Sequence, residues 1–257
     1  MINAICVVSA AAIRKEPSHR SEMTSQLLFG EIVQVLDEKE EWRKIKCHYD
    51  GYEGWLTFHL IEEVNDEVVI NSNRYVTTGL LNPATLPDSL VNLPMGSSLT
   101  GFDEETRLLW DDKHKYHGTY RNTTNPTYNE DLFWNTIQPW MNAPYLWGGR
   151  TFMGVDCSGF VQTVYKVLGI PLLRDAYQQA TQGVPVEDLM VAQSGDVAFF
   201  ENENGKITHV GIILQGEQII HASGKVRIDV LTDKGIFNKE SNTQTHKLHS
   251  IRRMVRI

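Results

Sequence analysis

Short runs set limits on the first part of this chain. AICVVSAAAI, EIVQVLDE, WRKIKCHY and GWLTFHLI are rich in β-branched and aromatic residues. Gly30, Asp50-Gly51 and Gly54 fall between them. Runs this short and this punctuated read as strands joined by turns, so residues 1–64 are expected to form a small β-barrel. Residues 65–125 repeat the rhythm loosely. GSSLTGFDEETRLLWDDKHKYHGTY echoes GEIVQVLDEKEEWRKIKCHYDGYEGWL in its glycine, its central Trp and its closing Gly-aromatic turn, which marks a degenerate repeat. The polar YRNTTNPTYNED then reads as a linker, with Pro126 disfavouring helix before it.

From about residue 130 the pattern changes. NEDLFWNTIQPWMN and FVQTVYKVLG read as helices, the second stopping at Gly169, and Phe160, Val161, Val164 and Leu168 fall on one face of it. From Gly195 onward the runs DVAFFE, THVGIILQ, QIIHAS and LHSIRRMVRI read as strands. Helices followed by a run of strands is an α+β pattern. At 257 residues, 41% hydrophobic and 22% charged, the chain has the composition of a globular protein. Its formal charge of -8 argues against nucleic acid and anionic membranes as partners. No run approaches the ~20 apolar residues of a membrane span, and MINAICVVSAAAIRKEP lacks the basic start of a signal peptide. A cytoplasmic location is therefore expected. The alternative, periplasmic or exported, applies if a leader has been removed. Three cysteines without a CxxC pair suit a reducing compartment, and Cys6 and Cys47 read as inert buried thiols.

Cys157 is different. It lies in GVDCSGF, where Asp156 is a candidate N-cap that puts the thiol in the first turn of a helix. The partial positive charge there favours a thiolate. A nucleophilic thiol needs a base, and the base needs a group to hold it. His209 and His221, on consecutive strands, are the candidates. A three-residue loop (215–217) between those strands would set His221 opposite Gly211 and on the same face as His209, whereas a two-residue loop would turn it away. The space left by Gly211 would admit an imidazole. Cys157, His209 and His221 could also ligate zinc, although one Cys and two His with no nearby carboxylate spacing is a weaker metal pattern. His114 and His117, an HxxH beside Asp111 and Asp112, read as an exposed turn.

NAPYLWGGRTFMGVDCSGFVQTVY, SGDVAFF, THVGIIL and IIHAS, in that order and spacing, resemble the NlpC-type cysteine peptidases of bacterial cell-wall metabolism over roughly residues 130–257. The segments before them resemble bacterial SH3-like domains. The resemblance implies a multidomain chain: an SH3-like barrel at 1–64, a degenerate second one at 65–125, and an α+β papain-like catalytic domain at 126–257. The combination is similar to the γ-D-glutamyl-L-diamino acid endopeptidases, with no metal or organic cofactor. The implied partners are murein peptides such as L-Ala-γ-D-Glu-L-Lys or its diaminopimelate counterpart.

Carried over residue by residue, the resemblance makes Cys157 the nucleophile, His209 the base, His221 the group that orients it, and Tyr145 an oxyanion donor with the Cys157 N–H. Asp156 and Ser158 would contact the dipeptide portion of the substrate. Asp175, in LLRDAYQQ, would meet its free amine, although Ala176 stands where some relatives carry a serine. Otherwise Arg174 and Asp175 would be a surface pair. Glu31 and Tyr52, from the first SH3-like domain, match an acid and a tyrosine that similar enzymes direct at the substrate N-terminus. Other readings are an amidase or acyltransferase of the same core, or a wall-binding protein with an idle catalytic domain.

Overall fold

The computed structural model describes residues 2–70, 72 and 74–254, so the last three residues of LHSIRRMVRI lie outside the described residues. The chain divides into two compact units: 1–126 with 147–152, and 127–146 with 153–257.

In the first unit, β1 (Ile2–Cys6), β2 (Ala10–Arg14), β3 (Met23–Leu28), β4 (Ile32–Lys39), β5 (Trp42–Cys47), β6 (Glu53–Thr57) and β7 (Ile61–Val64) form one antiparallel sheet. Its order is β3-β2-β6-β5-β4-β1-β7. AICVVSAAAI is thus two strands rather than one, and β3 is an addition to the expected set. Inward positions such as Cys6, Ile13, Leu27, Val33, Ile45 and Leu56 bury one apolar cluster, as alternation along a half-buried strand requires. Burial pushes the Cys6 thiol up to about 12 and the Cys47 thiol well above its ordinary value. Both are buried and unreactive by that test.

A short helix, α1 (Asp66–Ile70), leads to β8 (Tyr75–Thr77), β9 (Leu81–Leu86), β10 (Ser89–Pro94), β11 (Lys115–Tyr116) and β12 (Tyr120–Asn122). These make two small sheets, β10-β9-β11 and β12-β8, over a second cluster that contains Leu93, Phe102, Leu109, Tyr116 and also Phe29. The turn that sends Phe29 there depends on Gly30. Its φ is +73°, and a Cβ would stand 1.8 Å from the Ser98 carbonyl oxygen, so only glycine fits. The HxxH is not an exposed turn throughout. His114 is buried, stacked on Trp110 and held by Asp111 at 2.7 Å, whereas exposed His117 meets the Thr85 hydroxyl.

The segment 147–152, with β13 (Arg150–Thr151), also belongs to this unit. Arg150 is held there by a forked ion pair to Glu31, at 2.8 and 2.9 Å, with both side chains 2% exposed. Its backbone N–H and one guanidinium nitrogen bind Gln26, and the Trp147 indole donates to Glu22. Glu31 also makes a local contact: the Leu28 N–H donates to its Oε2 at 2.9 Å. The expectation that Glu31 offers an open anion is therefore corrected. Its charge is matched by Arg150 inside the fold, because an unpaired buried carboxylate would be costly. Tyr52 is half-buried against the barrel core, and its hydroxyl donates to the Thr24 carbonyl at 3.4 Å.

The second unit starts with α2 (Glu130–Ile137), whose N-cap Asn129 accepts from the Leu132 N–H. After the short β14 (Gly154–Val155) come α3 (Cys157–Val167) and α4 (Ala176–Gln179). Seven strands follow: β15 (Val184–Val186), β16 (Val197–Glu201), β17 (Ile207–Leu214), β18 (Gln218–Ser223), β19 (Lys225–Thr232), β20 (Gly235–Asn238) and β21 (Thr243–Arg253). They pair in the order β15-β21-β16-β17-β18-β19-β20, and β20 also pairs β21. Six of these strands thereby close on themselves around Ala198, Phe200, Ile213, Ile219, Leu231 and Ile236. Every residue of α3 is buried, including Gln162, Thr163 and Lys166. A wholly buried helix of this kind is a rigid mount for whatever its first turn carries. Among the described residues no helix is long and apolar enough to cross a membrane.

Candidate active site

Asp156 caps α3 as expected, accepting from the Gly159 N–H at 2.7 Å, so Cys157 occupies the first helical position. The thiol is 6% exposed. Burial pushes it up to about 12, the Asp156 carboxylate adds to the rise, and the Val210 backbone N–H and the Arg174 charge pull the other way. The helix N-terminus favours a thiolate, while desolvation and the adjacent carboxylate oppose it. The Val210 contact sets the sulfur beside the residue that follows His209.

The hairpin between β17 and β18 has the three-residue loop 215–217, and Gly211 pairs directly with His221. A Cβ on Gly211 would meet the His221 Cβ at 2.9 Å, so glycine is what makes room for the imidazole. His209 Nε2 lies 2.8 Å from His221 Nδ1, and His221 Nε2 lies 3.1 Å from Asp229 Oδ2. Asp229, on β19, also accepts from Arg227 Nη2 at 3.0 Å. Burial alone would raise its pKa, but the bonds from His221 and Arg227 bring it below the ordinary carboxylate value.

An ionised Asp229 can only accept, so His221 donates to it from Nε2. With His221 neutral, its Nδ1 accepts. His209 donates from Nε2 to that nitrogen, which leaves Nδ1 with a free lone pair. Burial, then the neighbouring His246 and His221, hold the His209 pKa well below its ordinary value. The resting pair is therefore a neutral thiol and a neutral imidazole whose free nitrogen is a base. Asparagine at position 229 would offer one acceptor oxygen where two donors converge. Asp229→Asn is expected to lower kcat about tenfold to a hundredfold with KM little changed, the loss for one hydrogen bond to a charged group. Steady-state kinetics against a peptide substrate check it, and an unchanged kcat would refute the proton assignment.

His246 stacks on His209, with ring centroids 4.1 Å apart and planes 25° from parallel. Tyr145 is half-buried, and its backbone N–H donates to the Gly224 carbonyl at 2.9 Å. Burial, then the charges of Cys157 and Asp156, push its phenol up, so the hydroxyl keeps its proton at neutral pH. Arg174 and Asp175 are not a surface pair. Arg174 is 1% exposed and forks onto both Asp156 oxygens, at 2.7 and 3.0 Å, and onto the Ser158 hydroxyl at 2.8 Å. A carboxylate capping a buried helix needs a countercharge, and Arg174 supplies it. Asp175 stays half-exposed as the N-cap of α4. Among the described residues no group of three His, Cys, Asp or Glu side chains is arranged to hold a metal.

Sequence reading missed Asp229, Arg227, Arg174 and His246. For Asp229 a signal existed: the register count that paired His221 with Gly211 continues through the turn at Gly224 and sets Asp229 on the same face.

A thiol at the start of a buried helix, beside a strand that carries a neutral and oriented imidazole, defines a cysteine peptidase. The model of the NlpC/P60 family matches residues 142–245, and that of the bacterial dipeptidyl-peptidase Sh3 domain matches residues 13–58. The chain belongs to the NlpC/P60 family. It is 30% identical over 231 residues to a γ-D-glutamyl-L-lysine dipeptidyl-peptidase of Bacillus cereus, covering 80% of this chain and 68% of the relative. To dipeptidyl-peptidase 6 of Lysinibacillus sphaericus it is 26% identical, covering 86% and 88%. The crystal structure of an NlpC/P60 family protein from Bacillus cereus superposes with a TM-score of 0.83 at 25% identity, covering 98% of this chain and 99% of that one.

Proposed function

We propose that the protein hydrolyses the bond between γ-D-glutamate and a diamino acid in short peptidoglycan peptides with a free N-terminal L-Ala, releasing L-Ala-γ-D-Glu. The observation that carries this reading is the hydrogen-bonded series of Asp229, His221 and His209, on strands of the unit whose buried helix starts at Cys157. The names of the relatives supply the bond. In this mechanism His209 Nδ1 takes the thiol proton as sulfur attacks the γ-carbonyl, and the Cys157 N–H and the Tyr145 hydroxyl receive the oxyanion. The imidazolium protonates the departing amine, leaving a thioester. His209 then deprotonates water for deacylation, while His221 and Asp229 hold its ring.

Asp175 is the carboxylate proposed to meet the L-Ala ammonium, and Asp156 and Ser158 line the dipeptide portion. A peptide whose amine is already acylated would lose that charged contact, the kind of loss that discriminates strongly. The stretch 65–125 is read as a second, degenerate SH3-like domain with its own aromatic core. Three free thiols accord with a reducing compartment.

Mass spectrometry of digests tests the reading. L-Ala-γ-D-Glu-L-Lys or its diaminopimelate counterpart should yield L-Ala-γ-D-Glu, and N-acetylation should lower kcat/KM about a hundredfold or more. Equal cleavage of free and acetylated peptides would remove the amine-recognition element. Products cut at another bond, or acyl transfer to an added amine in place of hydrolysis, would favour the amidase or acyltransferase reading.

A further inference from the structure

The hydrogen bond to His221 holds His209 at one point only. An imidazole so tethered still has its Cβ–Cγ rotor, a broad torsion with no deep wells. A base whose free nitrogen swings away from the sulfur loses rate steeply, since small misplacements at a reacting atom are costly. Something must fix the plane of the ring. Phe200, paired with His209 across β16 and β17, lies tilted at 45° with its centroid 5.8 Å away, so it bounds the ring without lying flat on it.

His246 does lie flat. Its strand pairs it with Ile236, which turns it to the same face of the closed sheet as the apolar cluster and as His209. Its own ring is anchored by a 2.8 Å bond between Nδ1 and the Thr245 hydroxyl. His246 is one residue beyond the segment matched by the NlpC/P60 family model. We propose that His246 is a positioning residue for His209: its imidazole covers one face of the base and fixes the ring plane, so that the nitrogen not bonded to His221 is held in one direction. This rests on the cysteine-peptidase mechanism proposed above and deepens it.

The surroundings suit the task. The groups facing His246 are His209, Phe200, His221 edge-on at 5.9 Å, and Asp229. Burial, then His221, lower the His246 pKa to about 4 against a smaller upward pull from Asp229. The stacked ring is thus neutral throughout the neutral range. It does not repel the imidazolium that His209 becomes during turnover, as a permanent cation in the same place would.

The test compares wild type, His246→Ala, His246→Phe and His246→Gln by kinetics on L-Ala-γ-D-Glu-L-Lys and by NMR of isotope-labelled histidine rings. His246→Ala is expected to lower kcat about tenfold with KM within about twofold, and to raise the protonation midpoint of His209 as its ring becomes solvated. A planar group at 246, whether phenyl or amide, is expected to recover kcat to within about threefold of wild type. Wild-type kcat in His246→Ala, or failure of both planar variants to exceed it, would overturn the proposal. The NMR arm stands apart from the substrate reading. If the wild type cleaves no murein peptide, a His209 midpoint that differs between wild type and His246→Ala still supports the stacking role, and an unmoved one ends it.

Discussion

Cys157→Ser is expected to lower kcat/KM by more than about 10⁴-fold, and His209→Ala by a similar factor, because each removes a member of one reacting unit. The pH dependence of the wild type is the more discriminating result. Cys157, raised by burial to about 12, stays protonated at neutral pH, while His209, held well below its ordinary 6.5, stays neutral. The reactive form needs the base unprotonated. A histidine with a depressed pKa loses its proton below 6.5, so activity should appear on an acid limb below that value. It should then stay level past the ordinary thiol value of 9.0, since no group of the pair titrates there. A preformed thiolate–imidazolium pair would instead lose activity as its imidazolium deprotonates, in the mildly alkaline range. Thiolate absorbance near 240 nm separates the two states without substrate: the difference between wild type and Cys157→Ser at pH 7 should be nil. A thiolate band there would refute the neutral resting pair. Iodoacetamide should accordingly label Cys157 slowly at pH 7 and faster with rising pH.

The second large effect is on stability. Glu31→Gln leaves the Arg150 guanidinium buried without its countercharge, and breaking a buried pair on one side costs about 3–5 kcal/mol. For a chain of this size that is roughly 6–20 °C in Tm, read on the calorimetric transition of the unit that contains residues 1–126. Replacing both partners, Glu31→Leu with Arg150→Met, should recover most of the loss, because a well-packed apolar pair of similar volume is close to neutral. Glu31→Gln melting with the wild type, or a double variant no better than the single one, would show that the pair does not stabilise the unit in this way.

Legibility differed with the range of the interaction. The Asp156 cap, the end of α3 near Gly169, and the placing of His209 and His221 on one face follow from spacings of a few residues, which a sequence displays directly. The strand rhythm of residues 1–125 was visible, but not that Phe29 would pack in the second core. Glu31 beside a glycine looks like an acid open to a ligand, and Arg174 beside Asp175 looks like a surface pair. In both cases the deciding partner lies far along the chain: Arg150 for Glu31, Asp156 and Ser158 for Arg174. The state of the Cys157 thiol divides in the same way. The helix end is local and can be read, whereas the desolvation that opposes it depends on how completely α3 is covered.

The Glu31–Arg150 pair joins positions 119 residues apart, and this bears on how such a chain can be altered by recombination. A crossover anywhere between them brings an acid chosen for one background together with whatever residue the other parent carries at 150. Unless that residue is also a matching cation, the hybrid inherits half a pair. The SH3-like part is therefore not freely exchangeable among relatives. Chains that change position 31 should change position 150 in step, and grafted hybrids should keep their stability only when the residues at the two positions match.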